Sequence, residues 1–570
     1  MFTPLAQTSE AFERLSWAEI EPWYRELLES PLAPETLQLW MARWSDLSAL
    51  VDETMKRLEI ECTRDTADEE RPRRKQRFME TVSTPQQALD QQMKERLLAS
   101  GLEPEGFAIP LRNLRAEAAL YREENLSLLN EDKALDDEYY QIGGAQMSTW
   151  NGEEIPKTAV ENVLFHPDRA QRERAWRAIA ECEAEDREKL DALWIKKMHL
   201  RQQIARNAGY DNYRDYRWRQ LLRFDYTPDD CKAFHRAVEQ VIVPAASQLY
   251  EKRRKLLGVE KLRPWDMQVD PRASEAPRHI SDVDGLLRQC IPVFQRIDPQ
   301  LRSYFETMLQ EQLFDLEERP NKADDGYNLP LEVRRRPFIF GHANAITDVV
   351  PLIFHEMGHA FHVFETIPLP YIHQRKEEAV PLEFGEVAST SMEFIGAMHL
   401  HEAGFCTQQE AARLRIQHVE NVLTRYLPFI TMGDAFQHWI YDHPEQGSNP
   451  EQCRQKWAEL TQRYLPEIDW SGLETERANR WQGTLHFYCL PFYFIEYAFA
   501  ALGALQIWDN YLRAPQTAIR QYRFALSLGA TRTVPELYEA AGAKFAFNAE
   551  MLQQVVQLIT RTVEELEAQA

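Results

Sequence analysis

Apolar residues recur along most of this chain at helical spacing. Leu37, Trp40, Trp44, Leu47, Val51 and Leu58 follow alternating steps of three and four, with Thr54 the one polar member. That pattern predicts an amphipathic helix whose stripe packs against a core. The same reading predicts helices over 17–30, 85–99 and 112–130, and a long charged helical stretch over 168–206. Two places depart from the helical period. Gln146–Thr149 and Glu153–Ile155 flank Asn151-Gly152, a pair suited to the φ > 0 positions of a tight turn, so a short hairpin is expected. Pro337–Ala343 (PFIFGHA) is apolar and aromatic but too short for a buried helix, and reads as a strand. The fold class is therefore mainly α, with a helical N-terminal region over 1–170 and a larger remainder over 171–570.

Directly after that strand, a helix is expected over 348–365. Thr347 or Asp348 is placed to cap it, and Pro351 falls in the first turn, where a missing N–H costs little. Pro368 and Pro370 forbid its continuation. Val350, Phe354, Met357, Phe361 and Phe364 share one face. The opposite face carries His355 and His359, about 6 Å apart along the axis and about 40° apart around it. Together they form the H-E-x-x-H pentapeptide His355-Glu356-Met357-Gly358-His359. Both imidazoles can bind one Zn2+, with Glu356 as general base activating a zinc-bound water. Beside such a helix, the strand's free backbone groups would pair with an extended substrate, which names Phe340, Gly341, His342 and Ala343 as substrate-binding residues.

Two histidines leave zinc in need of a third protein ligand and an open position. His362 lies on the same face but about 10.5 Å beyond His355 along a straight helix, too far to share the ion. A better source is the stretch Pro381–Glu393, where Glu383, Glu386 and Glu393 fall close to one helical face among small and apolar residues. Spacing alone does not choose between Glu383 and Glu386.

Composition narrows the function classes. The 570 residues are 44% hydrophobic and 27% charged, which is ordinary for a globular chain with ample core material. A net charge of −24 argues against a nucleic-acid surface. The basic run Arg71–Arg77 adjoins acidic Asp65–Glu70 and reads as a solvated face. Seven scattered cysteines (Cys62, Cys182, Cys231, Cys290, Cys406, Cys453 and Cys489), none in C-x-x-C spacing, read neither as a disulfide framework nor as a thiolate metal site. The first residues lack signal-peptide features and no stretch approaches 18 uninterrupted apolar residues, so no membrane partner is expected and the cytoplasm is the expected compartment.

The metal motif H-E-M-G-H-A-F-H, followed by E-V-A-S-T-S-M-E over Glu386–Glu393, resembles the thimet oligopeptidase/oligoendopeptidase family of zinc metallopeptidases, specifically the bacterial oligoendopeptidase F branch. Ala208–Tyr213, Leu262–Asp266, Gly326-Tyr327 and Pro337–Asn344 agree with it. The resemblance implies one zinc per chain held by His355, His359 and Glu386, with Glu356 as the base and Glu393 orienting a ligand histidine. It implies a helical bowl or clam around a deep channel, a small β-sheet beside the site, and short unfolded peptides cut at internal bonds. It also implies a histidine followed by tyrosines that bind substrate and stabilise the oxyanion; His486 matches, with Tyr493 and Tyr497 favoured over Tyr488. Two alternatives carry different expectations. A helical zinc dipeptidyl carboxypeptidase would use Glu383 as the nearer glutamate. A non-catalytic zinc-containing peptide-binding scaffold would need a closed four-ligand site and leave Glu356 without a purpose.

Overall fold

The computed structural model describes residues 2–273, 280, 282–323, 325–343 and 345–568; Asn344, the last residue of one of the matching stretches, lies outside them. The chain forms two compact units, each built from separate segments. The first comprises Met1–Ala119, Arg278–Ala411 and Gly503–Phe545; the second comprises Leu120–Pro277, Ala412–Leu502 and Ala546–Ala570. Residue 170 falls at the start of helix Arg169–Glu185, in the second unit.

In the first unit, the apolar stripe becomes helix α1 (Leu37–Arg64). Trp40, Trp44, Leu47 and Leu58 are buried and pack with Phe12, Tyr24, Phe107 and Tyr371. Thr54 enters that core because its hydroxyl donates to Leu50 O at 2.7 Å, which removes the cost of an unpaired buried polar group. The basic run becomes helix Glu70–Phe78, where Arg73 pairs with Glu69 and Glu70, and Arg74 with Glu13 and Glu61. This is the expected charged, solvated face.

A three-stranded sheet completes this unit: β1 (Phe314–Asp315), β2 (Tyr327–Leu331) and β3 (Arg336–Phe340), in the order β1-β3-β2. β3 runs parallel to β1 and antiparallel to β2, with Tyr327 opposite Phe340. The expected strand is therefore present, but it is the central one. The N–H groups of Ile339, Gly341 and Ala343 already donate to Leu313, Asp315 and Leu316 carbonyls. Helices α2 (His355–Glu365) and α3 (Leu382–Ala397) follow.

In the second unit, the expected hairpin pairs Met147–Trp150 with Glu153–Pro156, and Asn151 (φ 54°) and Gly152 (φ 89°) form its turn. The charged helical stretch expected over 168–206 forms two helices, Arg169–Glu185 and Arg187–Asn207. The break falls at Asp186, whose carboxylate accepts from Gln146 and Lys189. The helix expected over 112–130 also divides, into Ala108–Leu120 and Asn125–Gly144. Asn125 is buried and donates to Ile204 O, a tertiary contact that helical periodicity does not reveal. None of the described helices is long and apolar enough to cross a membrane.

Candidate metal centre

The motif helix starts later than its sequence suggests. Ile346–Asp348 forms a 3-10 turn and Val349–Phe354 a π-helical turn, so α geometry begins at His355 itself. Pro351 lies within the wide turn, where its missing N–H is readily accommodated. Asp348 does not cap the helix; its carboxylate accepts from Ala345 N at 2.8 Å. The apolar face behaves as its spacing predicts: Val350, Phe354, Met357, Phe361 and Phe364 are all buried. Phe294 packs edge-on against Phe354 and Phe361, and Tyr304 stacks on Phe364 with centroids 4.5 Å apart.

α3 supplies the carboxylates by crossing α2 at backbone contact. A methyl group on Gly358 would stand 2.4 Å from Ser389 Cα and 2.5 Å from Ala388 O, so only glycine permits this crossing. Tyr522 and Tyr538 fix α3 from behind by donating to the carbonyls of Ala388 and Glu383. Neither Gly358 nor Ser389 was legible as functional from the motif alone. The available signal was a glycine on one helix and small residues on the next.

The crossing brings one ligand atom each from His355, His359 and Glu386 within 4.8 Å of one another. Nε2 of His355 and of His359 lie 3.5 and 3.7 Å from the same Glu386 oxygen. Ser389 Oγ donates to that oxygen at 3.0 Å. Glu383, one turn earlier, is buried but outside this trio, and so is His362, whose ring packs edge-on to Phe384. The fit to zinc is good. Two imidazoles and one carboxylate converge with spacings close to the roughly 3.3 Å that separates neighbouring ligands of a tetrahedral ion with 2.0–2.1 Å bonds, and one position stays open.

The surrounding charges shape the titration of each group. Burial acts to lower His355, but the hydrogen bond and charge of Glu393, with Glu356 and Glu386, outweigh it and push the imidazole up to about 10. Burial pushes Glu356 up to about 7; Glu386 and Glu393 add to this and His355 opposes it. Burial lowers His359 to about 4 against the pull of Glu386, and lowers His362 to about 3.

The chain matches Peptidase family M3 over residues 163–557, well over half its length. It belongs to that family. Comparison with curated proteins finds no match. Among solved structures, PZ peptidase A with a bound inhibitor is similar at 25% identity, with 98% of this chain and 99% of that one covered and a TM-score of 0.89. A structure provisionally assigned as oligoendopeptidase F is similar at 26% identity, with the same coverage and TM-score. Oligoendopeptidase-F from Enterococcus faecium shares the fold at 16% identity, 97% coverage of both chains and a TM-score of 0.63. Family, fold and metal trio together make this M3 chain a zinc metalloendopeptidase of the oligoendopeptidase F kind.

The remaining expected site residues have separate surroundings. Phe340 is buried in β3 and stacks on Tyr327. Gly341 O accepts from Lys322, and both ring nitrogens of His342 are engaged, with Glu318 and Ala323 O. These groups are engaged within the sheet, and β2 lies at the sheet's edge. Asn328 on β2 donates to Glu356 O, tying that strand to α2. In the second unit, the rings of His486, Tyr493 and Tyr497 form a half-buried cluster with centroids 5.1–6.0 Å apart. Tyr488 is different: it is fully buried, stacks on Tyr139 and Trp481, and donates to Leu190 O.

Proposed function

We propose that this zinc peptidase cuts internal bonds of short, unfolded peptides, with Glu356 as the general base and His355, His359 and Glu386 as the metal ligands. The observation that carries the reading is the convergence of both motif imidazoles on one Glu386 oxygen, with the buried carboxyl of Glu356 on the same helix. Zinc held there supplies a nucleophile from water at neutral pH and polarises the scissile carbonyl. Glu356 takes the proton released by the attacking water and delivers it to the leaving amine as the C–N bond breaks. Glu393 holds His355 through Nδ1, which leaves Nε2 to face the metal. The edge of β2, rather than β3, offers backbone groups to an extended substrate. His486, Tyr493 and Tyr497 are assigned to the oxyanion because they match the family pattern and are only half-buried, whereas Tyr488 is fully buried.

An internally quenched peptide of about ten residues, blocked at both ends, tests the reading, because an endopeptidase needs neither terminus. Internal products are expected. Cleavage only of peptides with a free C-terminus, two residues at a time, would replace it with a dipeptidyl carboxypeptidase.

A further inference from the structure

The second unit contains another set of side chains of the metal-ligating types, away from the M3 motif in sequence. Helix Pro228–Leu256 carries Cys231 and His235, and helix Leu427–Asp442 carries Asp434 and His438. Each pair is four residues apart, so each projects from one helical face. Cys231, Asp434 and His438 bring one ligand atom each within 4.8 Å of one another, as His355, His359 and Glu386 do. His235 Nε2 lies 2.7 Å from Asp434 Oδ2, and His438 Nε2 lies 3.4 Å from that same oxygen.

Burial makes this cluster unlike a chance grouping of polar residues. Cys231 and Asp434 are 0% exposed, His438 2% and His235 7%. Asp434 Oδ1 and both ring nitrogens of His438 have no hydrogen-bond partner. Among the described residues, no lysine or arginine pairs with the Asp434 carboxylate. Phe492 and Trp218 pack against His438 at 5.3 and 6.1 Å between centroids. The unpartnered Asp434 Oδ1 and the unsatisfied His438 imidazole, in an aromatic pocket, are costly unless something supplies the missing bonds.

We propose that Cys231, Asp434 and His438 bind a second metal ion, a zinc, with His235 holding the Asp434 carboxylate. One thiolate, one imidazole and one carboxylate form a borderline-soft donor set that suits zinc over magnesium or calcium. The thiolate distinguishes this trio from the sulfur-free one on α2 and α3. The ion would clamp helix Pro228–Leu256 to helix Leu427–Asp442. Gln437, between the two ligands of the second helix, accepts from Phe492 N at 2.6 Å. Phe492 is held at φ 65°, a conformation costly for a bulky residue, and the clamp would brace that turn.

The test is expression of the full chain in medium supplied with cobalt(II) in place of zinc, followed by metal counting and absorption spectroscopy. Two cobalt ions per chain are expected, with a thiolate-to-cobalt charge-transfer band in the near ultraviolet, which the sulfur-free catalytic trio does not produce. C231S should lose the band and one of the two ions; H359A should lose one ion and keep the band. One cobalt per chain without a thiolate band in the unaltered protein would overturn the proposal, a result that requires no variant to fold. A band that survives in C231S would overturn it as well. Neither readout depends on peptide hydrolysis, so the proposal stands or falls separately from the catalytic reading.

Discussion

Nδ1 of His355 lies 2.7 Å from Oε1 of Glu393, while the other ring nitrogen faces Glu386. The imidazole is thereby held in one orientation before any ion arrives, and its proton is kept on the side away from the metal. E393Q should therefore weaken zinc binding by about 10- to 100-fold with little change in fold. Competition with a chelator of known affinity measures this directly. Unchanged affinity would show that Glu393 does not orient the ligand.

Glu386 and Glu383 make opposite predictions although they sit one turn apart on α3. E386Q should abolish tight zinc binding, because it removes the oxygen on which both imidazoles converge. E383Q should bind zinc at that centre as the unaltered chain does. Metal analysis of both variants after dialysis decides between them, and loss of zinc only in E383Q would reverse the assignment.

G358A places a methyl group 2.4 Å from Ser389 Cα. Forcing α2 and α3 apart should lower stability by about 1–3 kcal/mol and reduce zinc affinity in the same variant. Denaturant unfolding and zinc titration together test this; a stable variant that also binds zinc normally would mean that the crossing is not as tight as the structure shows.

These two residues also illustrate what the sequence could and could not reveal. The motif helix, the stripe on α1 and the Asn151-Gly152 hairpin were legible because each is a local pattern with one dominant period or turn requirement. Spacing alone did not choose Glu386 over Glu383, because both fit the same helical face; the family resemblance named Glu386, and the crossing at Gly358 brings it to the two histidines. The break between Leu120 and Asn125 and the central place of β3 were not legible from local spacing either. Asn125 is fixed by Ile204, and β3 by β1 and β2, all contacts with distant residues. The pairing of Cys231 and His235 with Asp434 and His438 was likewise invisible, since roughly two hundred residues separate the two helices.

Asp315 gives a pH dependence with a definite sign. Its carboxyl is lowered to about 2: burial opposes this, but hydrogen bonds and charge from Arg319 and Lys322 outweigh it. A carboxylate lowered on folding contributes stability that is fully present above its unfolded value of about 3.9 and is lost as the pH falls toward 2. The stability gap between the unaltered chain and D315N should therefore be widest above about pH 4 and shrink below it. Urea midpoints measured from pH 6 to 2 test this, and a constant gap would refute it.

Glu356 is proposed to move the proton in a zinc-dependent hydrolysis. Its most direct test is E356Q, compared with the unaltered chain for zinc content and for hydrolysis of the end-blocked peptide before and after chelation and zinc add-back. Equal zinc content, chelator-sensitive cleavage restored by zinc in the unaltered chain, and turnover lower by about 10²- to 10⁴-fold in the variant are expected. Turnover in E356Q within about tenfold of the unaltered chain, at equal zinc content, would contradict that role.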